Sequence, residues 1–467
     1  MKKILLLLLL PLAVLGQSNQ QKIDSVRVLL EKAFNENDGT KIYTLTGESF
    51  RKEISEMELK HVIGMLYSQL GKWKTSEFKQ ITNGTALYKG IFEKSNQNIF
   101  LSLDTQNKIS GLLFQPYTAD KPHKDYQVAS DNPMQSPLDL KVDSLARLYI
   151  QLKNTVGIAI AVVQDGETFT YNYGETRQGN HQLPNADKTL FEIGSISKTF
   201  TSILLADEVA NGRMSLEDPI NKYLPDSIPP MAYKDRPITL KTLANHTSGF
   251  PRLPFNLYKK GDPADNPYKN YDLQRMYTYL RNFKPYREVG LTYDYSNFAV
   301  GLLGNILAQQ HQTTYQNLLN EKICKPLMLS NTFIDIPANR TADFAQGYNE
   351  KGEAVAAWDL NTLAGAGGIR STVTDLVRYL QANMTEAPET LQQAIDLSHQ
   401  ITFDKGKDVV ALGWNLLRRK AFTIYHHSGG TGGFRTFVGF DKEHQTAVVV
   451  LANSAEEVSA IGFDLLF

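Results

Sequence analysis

Cysteine is almost absent from this sequence of 467 residues, in which Cys324 has no second cysteine to pair with. Without an intrachain disulfide, stability has to come from burial of apolar side chains, and a chain of this length has ample material for a core. Ile323 and Leu327 lie close to the thiol in sequence, so we expect Cys324 to be buried. A disulfide-stapled scaffold is therefore excluded.

Net charge is absent as well, since 49 Lys and Arg residues balance 49 Asp and Glu residues. Without a basic field, the chain has no electrostatic basis for binding nucleic acid. The metal signatures HExxH and CxxC are also lacking. His426 and His427 are the alternative for a metal site, but adjacent strand residues point to opposite faces. The sequence therefore predicts a globular protein without a metal or other cofactor.

Long apolar runs are lacking apart from one at the N-terminus. Lys2 and Lys3 precede Ile4–Leu15, a run of 12 residues, and Gly16 offers a small residue for cleavage. A membrane-spanning helix needs about 20 residues, whereas the core of a secretory signal has about 7–15. An uncleaved anchor is the alternative. We expect residues 1–16 to be a signal peptide, and the mature protein to be periplasmic or secreted with no transmembrane segment.

Three segments of different character follow this leader. Residues 18–117 show helical spacing and then strand-like alternation, which predicts a small α+β domain. Residues 118–138 are polar, contain three prolines and lack periodicity, as a linker does. Residues 139–467 place strands near both ends and helices between them. The fold class predicted for this last segment is α/β (α+β), with one antiparallel sheet assembled from distant strands and a helical lobe.

A serine and a lysine stand one helical turn apart where an apolar helix is expected to begin. Ser195 and Lys198 follow Gly194, and positions i and i+3 share one helix face, so the side chains can meet. Burial lowers the pKa of a lysine and lets it act as a base, while free N–H groups at a helix start suit a developing oxyanion. The same spacing at Ser49–Lys52 and Ser76–Lys79 lacks this setting. Ser195 is the candidate nucleophile and Lys198 its candidate base.

A tyrosine and an asparagine precede a second apolar helix. Tyr295 and Asn297 flank a serine at the turn that enters the stretch Phe298–Leu303. A phenol at this place could relay a proton, and the amide could hold a substrate carbonyl. The alternative is that both residues only cap the helix.

Glycines mark a third segment, which follows a strand near the C-terminus. Gly429 and Gly430 would let an extended substrate approach the strand edge and pair with it as an added strand. His427, beside Ser428, would bind a carboxylate if protonated and would form a neutral hydrogen bond otherwise. A glycine hairpin without function is the alternative. No G-x-S-x-G occurs, and Ser248 beside a histidine in NHTSGF is interpreted as part of a turn, which argues against a Ser–His–Asp hydrolase.

Together and in this order, the three segments resemble the active-site serine penicillin-recognising enzymes. The closest branch comprises the class C β-lactamases with the related serine DD-carboxypeptidases and β-lactamase-fold esterases. FEIGSISK is similar to the class C active-site signature over its whole length, and further matches in order are LANHTSGFP, YDYSNFAVGLLG, AGAGGIRSTVTDLVRYL, LGW and HHSGGTGGF. The resemblance covers about residues 139–467. Residues 18–117 resemble, more faintly, a small domain of the nuclear-transport-factor or cystatin type.

The resemblance implies a serine hydrolase that opens an amide or an ester through an acyl-enzyme. Ser195 would be acylated, and Lys198 would take or share its proton. Tyr295 would pass a proton to the leaving nitrogen and help to activate the deacylating water. The expected partner is a small-molecule or peptide substrate, with D-amino-acyl peptides or β-lactams ranked first and simple esters second. A penicillin-binding sensor that acylates slowly without turnover is the rival hypothesis.

The resemblance also implies where the substrate would bind. Asn297 would hold the amide side chain of the substrate, and the backbone N–H groups of the nucleophilic serine and of Gly430 would form the oxyanion hole. The third motif differs from the family pattern, because class C β-lactamases usually carry Lys-Thr-Gly where this chain has His427, Ser428 and Gly429. Lysine offers a permanent cation to the β-lactam carboxylate, whereas histidine is mostly neutral at pH 7. Acylation chemistry is therefore expected, and fast β-lactam hydrolysis is not.

Overall fold

A computed structural model describes residues 20–467 except residues 83, 118–121, 386, 407, 420 and 421. The predicted signal peptide, residues 1–16, lies outside the described residues. The chain divides into two compact units, Met1–Lys121 and Pro122–Phe467. Among the helices of the described residues, none has both the length and the apolar character needed to cross a membrane.

The first unit combines four helices with a four-stranded antiparallel sheet in the order β1-β2-β3-β4. Its elements are α1 Gln20–Asn35, α2 Gly39–Leu45, α3 Glu48–Glu53, α4 Glu56–Leu70, β1 Trp73–Thr82, β2 Thr85–Phe92, β3 Asn96–Leu103 and β4 Ile109–Pro116. Buried side chains from the helices and the sheet share one apolar cluster around Phe34, Trp73 and Phe114. The sequence pattern predicts β2–β4 but not β1, because most side chains of β1 are polar and exposed.

The second unit contains ten helices within the described residues. They are α5 Pro137–Ile150, α6 Ser197–Ala210, α7 Leu240–Ala244, α8 Leu273–Asn282, α9 Asn297–Gln310, α10 Tyr315–Leu319, α11 Ala364–Gly367, α12 Val373–Met384, α13 Glu389–Ser398 and α14 Ser459–Leu466. The helix predicted to open at Ser195 begins two residues later, after a 3-10 turn at Gly194–Ile196. Nearly the whole of α6 is buried, as expected for a helix with a broad apolar face, and its buried residues include the polar Thr199, Thr201 and Ser202.

An eight-stranded antiparallel sheet forms the centre of this unit, in the order β13-β14-β15-β16-β17-β18-β5-β6. Its strands are β5 Gly157–Gln164, β6 Glu167–Gly174, β13 Phe403–Lys405, β14 Asp408–Val410, β15 Asn415–Arg419, β16 Phe422–Gly430, β17 Arg435–Asp441 and β18 Thr446–Ala452. Three pairs of two-residue strands stand apart, namely β7 Phe191–Glu192 with β12 Arg370–Ser371, β8 Ala232–Tyr233 with β9 Arg236–Pro237, and β10 Gly347–Tyr348 with β11 Ala354–Val355. The predicted fold class, with one antiparallel sheet built from distant strands, is confirmed.

Both faces of this sheet are covered by apolar side chains. Ala159 and Ala161 of β5 point into one buried cluster, which also holds α6 and α9, whereas Ile158 and Ile160 point into another with α5 and α14. This alternation follows from the two-residue period of a strand. The helices on the first face, α6 and α9, carry or follow the first two segments that the sequence singled out, and β16 of the sheet carries the third.

The segment 122–136, which falls within the predicted linker, makes hydrogen bonds to the second unit. Lys124 Nζ donates to the carbonyls of Ile150 and Thr155 at 2.6 and 2.8 Å, and Val128 is buried. Ser136 then caps α5. These contacts explain why the division between the units falls at residue 121 and not at the start of α5.

Cys324 ends a single turn of π-helix, Asn320–Cys324. Its side chain is 2% exposed, and burial raises the pKa of the thiol to about 12. The prediction of a buried cysteine agrees with this position.

Candidate active site

The 3-10 turn Gly194–Ile196 presents Ser195 at the start of α6, where a lysine reaches it from the next turn. Lys198 Nζ lies 3.0 Å from Ser195 Oγ. Gly194 precedes the serine with a φ of +52°, and a Cβ at this position would lie 2.6 Å from the backbone nitrogen of Gly430. A glycine is therefore required for the turn to approach the strand β16 this closely.

Lys198 is fully buried, yet its amino group has three partners. Besides Ser195, Nζ donates to Asn297 Oδ1 at 2.9 Å and to the carbonyl of Ala366 at 2.5 Å. None of these partners carries a formal charge. Burial, together with the nearby positive charge of Arg252, lowers the pKa of Lys198 well below its ordinary value. The geometry therefore favours a neutral amine next to the serine hydroxyl, as a general base requires.

Tyr295 completes this group from the segment before α9. Its ring centroid lies 4.8 Å from Lys198 Nζ. Burial raises the pKa of Tyr295 to about 12, although contact with the Ser195 hydroxyl and the charge of Arg252 lower it in part. The helix is capped by Ser296, whose Oγ accepts the N–H of Ala299. The helix cap is therefore Ser296 and not Tyr295. Tyr295 is a protonated phenol that faces the serine.

The third segment lies against the turn that carries Ser195. A Cβ at Gly429 would clash with the carbonyl oxygen of Ile193, and Thr436 Oγ1 donates to that same carbonyl at 2.9 Å. The next residue, Gly430, is exposed and lies at the end of β16. This packing places the backbone of Gly430 next to the Gly194–Ser195 turn.

His427 is buried on the face of β16 that looks toward Tyr295, with 6.3 Å between the two ring centroids. Its Nδ1 donates to the carbonyl of Ser428 at 2.7 Å. Burial is the main cause that lowers the pKa of His427 to about 3. The neighbouring ring of His426 instead lies 4.8 Å from the ring of Phe463. Burial therefore favours the neutral form of His427, as a hydrogen-bonding group, at pH 7.

A hydroxyl relay joins Ser428 to a carboxylate. Ser428 Oγ lies 2.8 Å from Ser459 Oγ, and Ser459 Oγ donates to Glu457 Oε1 at 2.7 Å. The backbone N–H groups of Val458 and Ser459 donate to the same oxygen at 3.1 Å. Where the resemblance would place a cation near the third motif, this chain has a fixed carboxylate.

These groups surround a cavity of about 520 Å³. Its lining includes every candidate residue except Lys198, which is buried; the candidates on its wall are Ser195, Tyr295, Asn297, His427, Ser428, Gly429 and Gly430. Within the described residues, no cluster of three or more His, Cys, Asp or Glu side chains could hold a metal ion. The chemistry available here is that of a serine, an amine and a phenol.

Several residues of the site have no signal in the sequence pattern taken alone. Arg252, Trp358 and Glu457 line the cavity from loops. His246 lies in the stretch NHTSGF, interpreted above as a turn, and its backbone has a φ of +61°. Its ring is 4.3 Å from that of Tyr295, and its Nδ1 accepts the N–H of Ser296 at 3.1 Å. The motif match around NHTSGF was the only signal that could have pointed to His246.

A central antiparallel sheet, a helical lobe and a serine–lysine–tyrosine group between them define the class of active-site serine hydrolases. Comparison with known proteins identifies the family. Residues 142–463 match the β-lactamase family model, and a β-lactamase of Pseudomonas fluorescens is 30% identical over 356 residues, which are 68% of this chain and 95% of that protein. The chain belongs to the β-lactamase family.

Solved structures agree with this assignment. A class C β-lactamase has a TM-score of 0.63 and 26% identity, and the match covers 72% of this chain and 97% of that one. A β-lactamase/D-alanine carboxypeptidase from Pseudomonas syringae has a TM-score of 0.62 and 27% identity, with coverage of 71% and 99%. The chain is therefore a serine hydrolase of the β-lactamase or carboxypeptidase type, and the predicted family resemblance is confirmed.

Proposed function

We propose that the protein is an exported hydrolase that transfers an acyl group from an amide or ester to water through an acyl-Ser195 intermediate. One observation carries the proposal, namely the 3.0 Å approach of the fully buried Lys198 amine to Ser195 Oγ. A neutral amine at this distance can remove the hydroxyl proton as the oxygen attacks the substrate carbonyl.

The negative charge that develops on the substrate oxygen needs donors that are already in place. The backbone N–H groups of Ser195 and Gly430 are the pair that we assign to this role, because the Gly194 turn and the end of β16 are in contact. Loss of one donor of this kind typically costs about 10²–10³ in rate. Asn297, held by Lys198 through its Oδ1, would use its remaining N–H donors for the amide of the acyl chain.

Tyr295 is the residue that we assign to the leaving group. Its raised pKa keeps the phenol protonated at neutral pH, so it can donate a proton to the departing nitrogen or oxygen. In deacylation the same oxygen, within reach of Ser195, would accept a proton from the attacking water. The product acid is then released and Ser195 regains its proton.

Among substrates, we rank D-amino-acyl amides and esters ahead of fast β-lactam hydrolysis. The neutral ring of His427 gives its single N–H to the Ser428 carbonyl, so it offers neither a cation nor a second N–H donor to a carboxylate beside the leaving nitrogen. Charge-assisted hydrogen bonds are roughly twice as strong as neutral ones, so their absence weakens binding of such substrates.

The test compares turnover of nitrocefin, a D-Ala-D-Ala peptide and p-nitrophenyl acetate by the purified protein, with Ser195→Ala as the control. We expect turnover of the ester, slower acylation by nitrocefin and by the peptide because both carry a carboxylate beside the leaving nitrogen, and loss of all three reactions in the variant. A fluorophosphonate probe should label Ser195. Full activity in Ser195→Ala, or labelling of another serine, would show the proposal to be wrong. An acyl adduct that persists in mass spectra with no turnover would favour a penicillin-binding sensor.

Export is part of the proposal and rests on the leader, residues 1–16, with its two lysines and short apolar core. Expression with the native N-terminus followed by N-terminal sequencing of the extracytoplasmic protein tests it. A mature chain that begins shortly after Gly16 is expected. A protein that keeps Met1 and stays in the cytoplasm would contradict export.

A further inference from the structure

Two arginines line the cavity, and their surroundings differ. Arg435 Nη1 donates to the carbonyls of Thr431 and Phe434 at 2.8 and 2.9 Å, and its Nη2 lies 3.9 Å from the Glu350 carboxylate. Arg252 is exposed, and its guanidinium lies over the ring of Tyr295 with Cζ 5.0 Å from the centroid. No side-chain hydrogen bond or ion pair joins it to another residue that the structure describes. Arg252 is thus a cation on the wall with free donors.

The backbone of Arg252 fixes its position relative to the acyl side of the site. Its carbonyl accepts the N–H groups of Asn297 and Phe298 at 3.0 and 3.3 Å, in the first turn of α9. Asn297 is the residue assigned above to the amide of the acyl chain. The backbone of Arg252 is therefore tied to the helix turn that carries Asn297, while its guanidinium covers the ring of Tyr295, and this aromatic face favours the cation without neutralising it.

The part of the cavity next to β16 also carries a negative charge. His427 is buried and neutral, and the relay from Ser428 through Ser459 ends on the exposed carboxylate of Glu457. A negative group next to the leaving atom would be repelled by this carboxylate, and the nearest guanidinium, that of Arg435 beside Gly430, already donates its Nη1 to two backbone carbonyls. The cavity therefore carries a cation at Arg252 and a carboxylate at Glu457.

We propose that Arg252 is a specificity residue that selects acyl groups carrying a carboxylate, and that Glu457 disfavours a carboxylate on the leaving group. The inference rests on the acyl-Ser195 function proposed above. It assigns a substrate class: amides or esters of a dicarboxylic or similarly anionic acyl unit, with a neutral or cationic leaving group. A planar guanidinium with free N–H groups matches such a carboxylate in geometry as well as in charge.

The first experiment compares p-nitrophenyl hydrogen adipate with p-nitrophenyl hexanoate, which share the leaving group and the acyl length and differ in one terminal carboxylate. The ratio of their kcat/KM values cancels any effect on the common chemistry, including that of Arg252 on Lys198. Arg252→Gln should lower the adipate-to-hexanoate ratio about three- to tenfold, mostly through KM, as expected for loss of a partly exposed ion pair. Arg252→Lys should restore part of it. Arg236→Gln, an exposed arginine of β9 outside the cavity, is the matched control and should leave the ratio unchanged.

The second experiment moves the carboxylate to the leaving group by comparing 4-acetoxy-3-nitrobenzoate with o-nitrophenyl acetate. Glu457→Gln should raise this ratio about two- to fivefold, and added salt should reduce the gain because the charges are partly exposed. Arg252→Gln should not lower it. A decrease in that variant would place the anion on the leaving-group side and overturn the assignment to the acyl group.

Other outcomes separate this inference from the proposed function. An active Arg252→Gln enzyme with an unchanged adipate-to-hexanoate ratio would overturn the inference alone, and a lower ratio in Arg435→Gln instead would assign the carboxylate to the other arginine. Hydrolysis of both esters by Ser195→Ala would overturn the acyl-serine mechanism itself. If Arg252→Gln does not fold, Arg252→Lys and Arg435→Gln still decide, because only the change at Arg252 should lower the ratio, and added salt should lower it in the wild-type enzyme as it screens the ion pair.

Discussion

Lys198 shows how one buried side chain can carry both the chemistry and its pH dependence. The amine is removed from water, faces the neutral groups of Ser195 and Asn297, and has Arg252 as a nearby cation. Burial and the neighbouring cation both disfavour the ammonium form, and no carboxylate among the hydrogen-bond partners offsets them, so the pKa of Lys198 is lower than that of a lysine in solution. The same sequence spacing on the exposed surface would give an ordinary charged lysine.

The lowered pKa of Lys198 predicts the pH profile. Because acylation needs the neutral amine, kcat/KM for p-nitrophenyl acetate should rise with pH through one acid limb whose midpoint lies well below 10.5. His427 and His246 should add no second limb near pH 6.5, since burial lowers the pKa of both. Arg252→Gln should move the midpoint to higher pH by removing a neighbouring cation.

Stopped-flow or initial-rate measurements from pH 5 to 10, with the Ser195→Ala background subtracted, give this profile. A midpoint that stays fixed in Arg252→Gln would show that Lys198 does not control the limb. Lys198→Ala should lower kcat/KM by about 10²–10⁴, the usual contribution of a positioned base.

The candidate residues differed in how readily the sequence pointed to them. Ser195 and Lys198 follow from helical spacing, because two positions three apart on a buried helix must meet. Tyr295 and His427 could be singled out by their place before an apolar helix and beside a glycine pair, but only the resemblance linked them to the serine, since their approach to it depends on tertiary packing. Glu457 could not be found, because its relay to Ser428 runs between a loop and a strand whose sequences show no relation.

At the scale of elements, the site depends on the contact between the Gly194 turn and the strand β16. Both sides of this contact are glycine, and Thr436 of β17 ties the carbonyl of Ile193 to the same place. The oxyanion donors assigned above belong to these two elements. Their spacing is therefore set by how closely two backbones approach and not by a flexible side chain.

Gly429→Ala tests this contact. The added Cβ would clash with the backbone carbonyl of Ile193, which cannot move without shifting the turn. We expect a loss of about 1–3 kcal/mol in the free energy of unfolding, as for other overpacked sites. We also expect kcat/KM to fall by about 10² for every substrate, because the oxyanion donors are displaced.

Denaturant unfolding and ester hydrolysis measure the two effects. The matched control is Gly64→Ala, at an interior position of α4 where an added Cβ meets no atom within 4 Å. This variant should gain about 0.5–1 kcal/mol of stability, because alanine is the better helix former. Full activity in Gly429→Ala would show that the turn and the strand are not held together as described.

Elements were predicted well where one face is clearly apolar and poorly where it is not. The strands β2–β4 and the helices α1 and α4 show their periodicity in sequence. The strand β1 is hidden by polar residues, and α2 and α3 are too short for a periodic signal. The 3-10 turn before α6 also escaped prediction, because a helix start in sequence does not reveal its hydrogen-bond pattern.

At the scale of the molecule, the two units have separate cores. The apolar cluster of the first unit draws on residues 23–114, and those of the second draw on residues 128–465. Every residue that lines the candidate active-site cavity belongs to the second unit. The chemistry assigned to Ser195 therefore uses residues of the second unit.

We therefore expect residues 122–467 alone to fold and to hydrolyse p-nitrophenyl acetate with a kcat/KM within about twofold of that of the full chain. The segment 122–136 has to be kept, since Lys124 and Val128 bind to the second unit. Starting at residue 139 should cost stability, measured as a lower Tm. An insoluble 122–467 fragment, or a tenfold loss of activity, would show that the first unit supports the catalytic one.

The fold class of the catalytic unit could be predicted because its strands are apolar and because several motifs occur along its sequence. The pairing of β18 with β5, about 290 residues apart in sequence, closes the sheet between the two ends of the unit. Composition and periodicity could suggest that distant strands meet, but not the strand order. The boundary of the first unit was harder to predict, because residues 122–136 have the polar, proline-containing look of a linker and yet bind to the second unit.

The burial of Cys324 has a practical consequence for spectroscopy. As the sole thiol, 2% exposed and with a pKa of about 12, it is shielded from maleimide and iodoacetamide reagents in the folded protein. Cysteines introduced at exposed positions would therefore take up fluorophores or spin labels without removal of the native one. With one label in each unit, the distance between the two labels could be measured during turnover. Reaction of Cys324 itself would report unfolding.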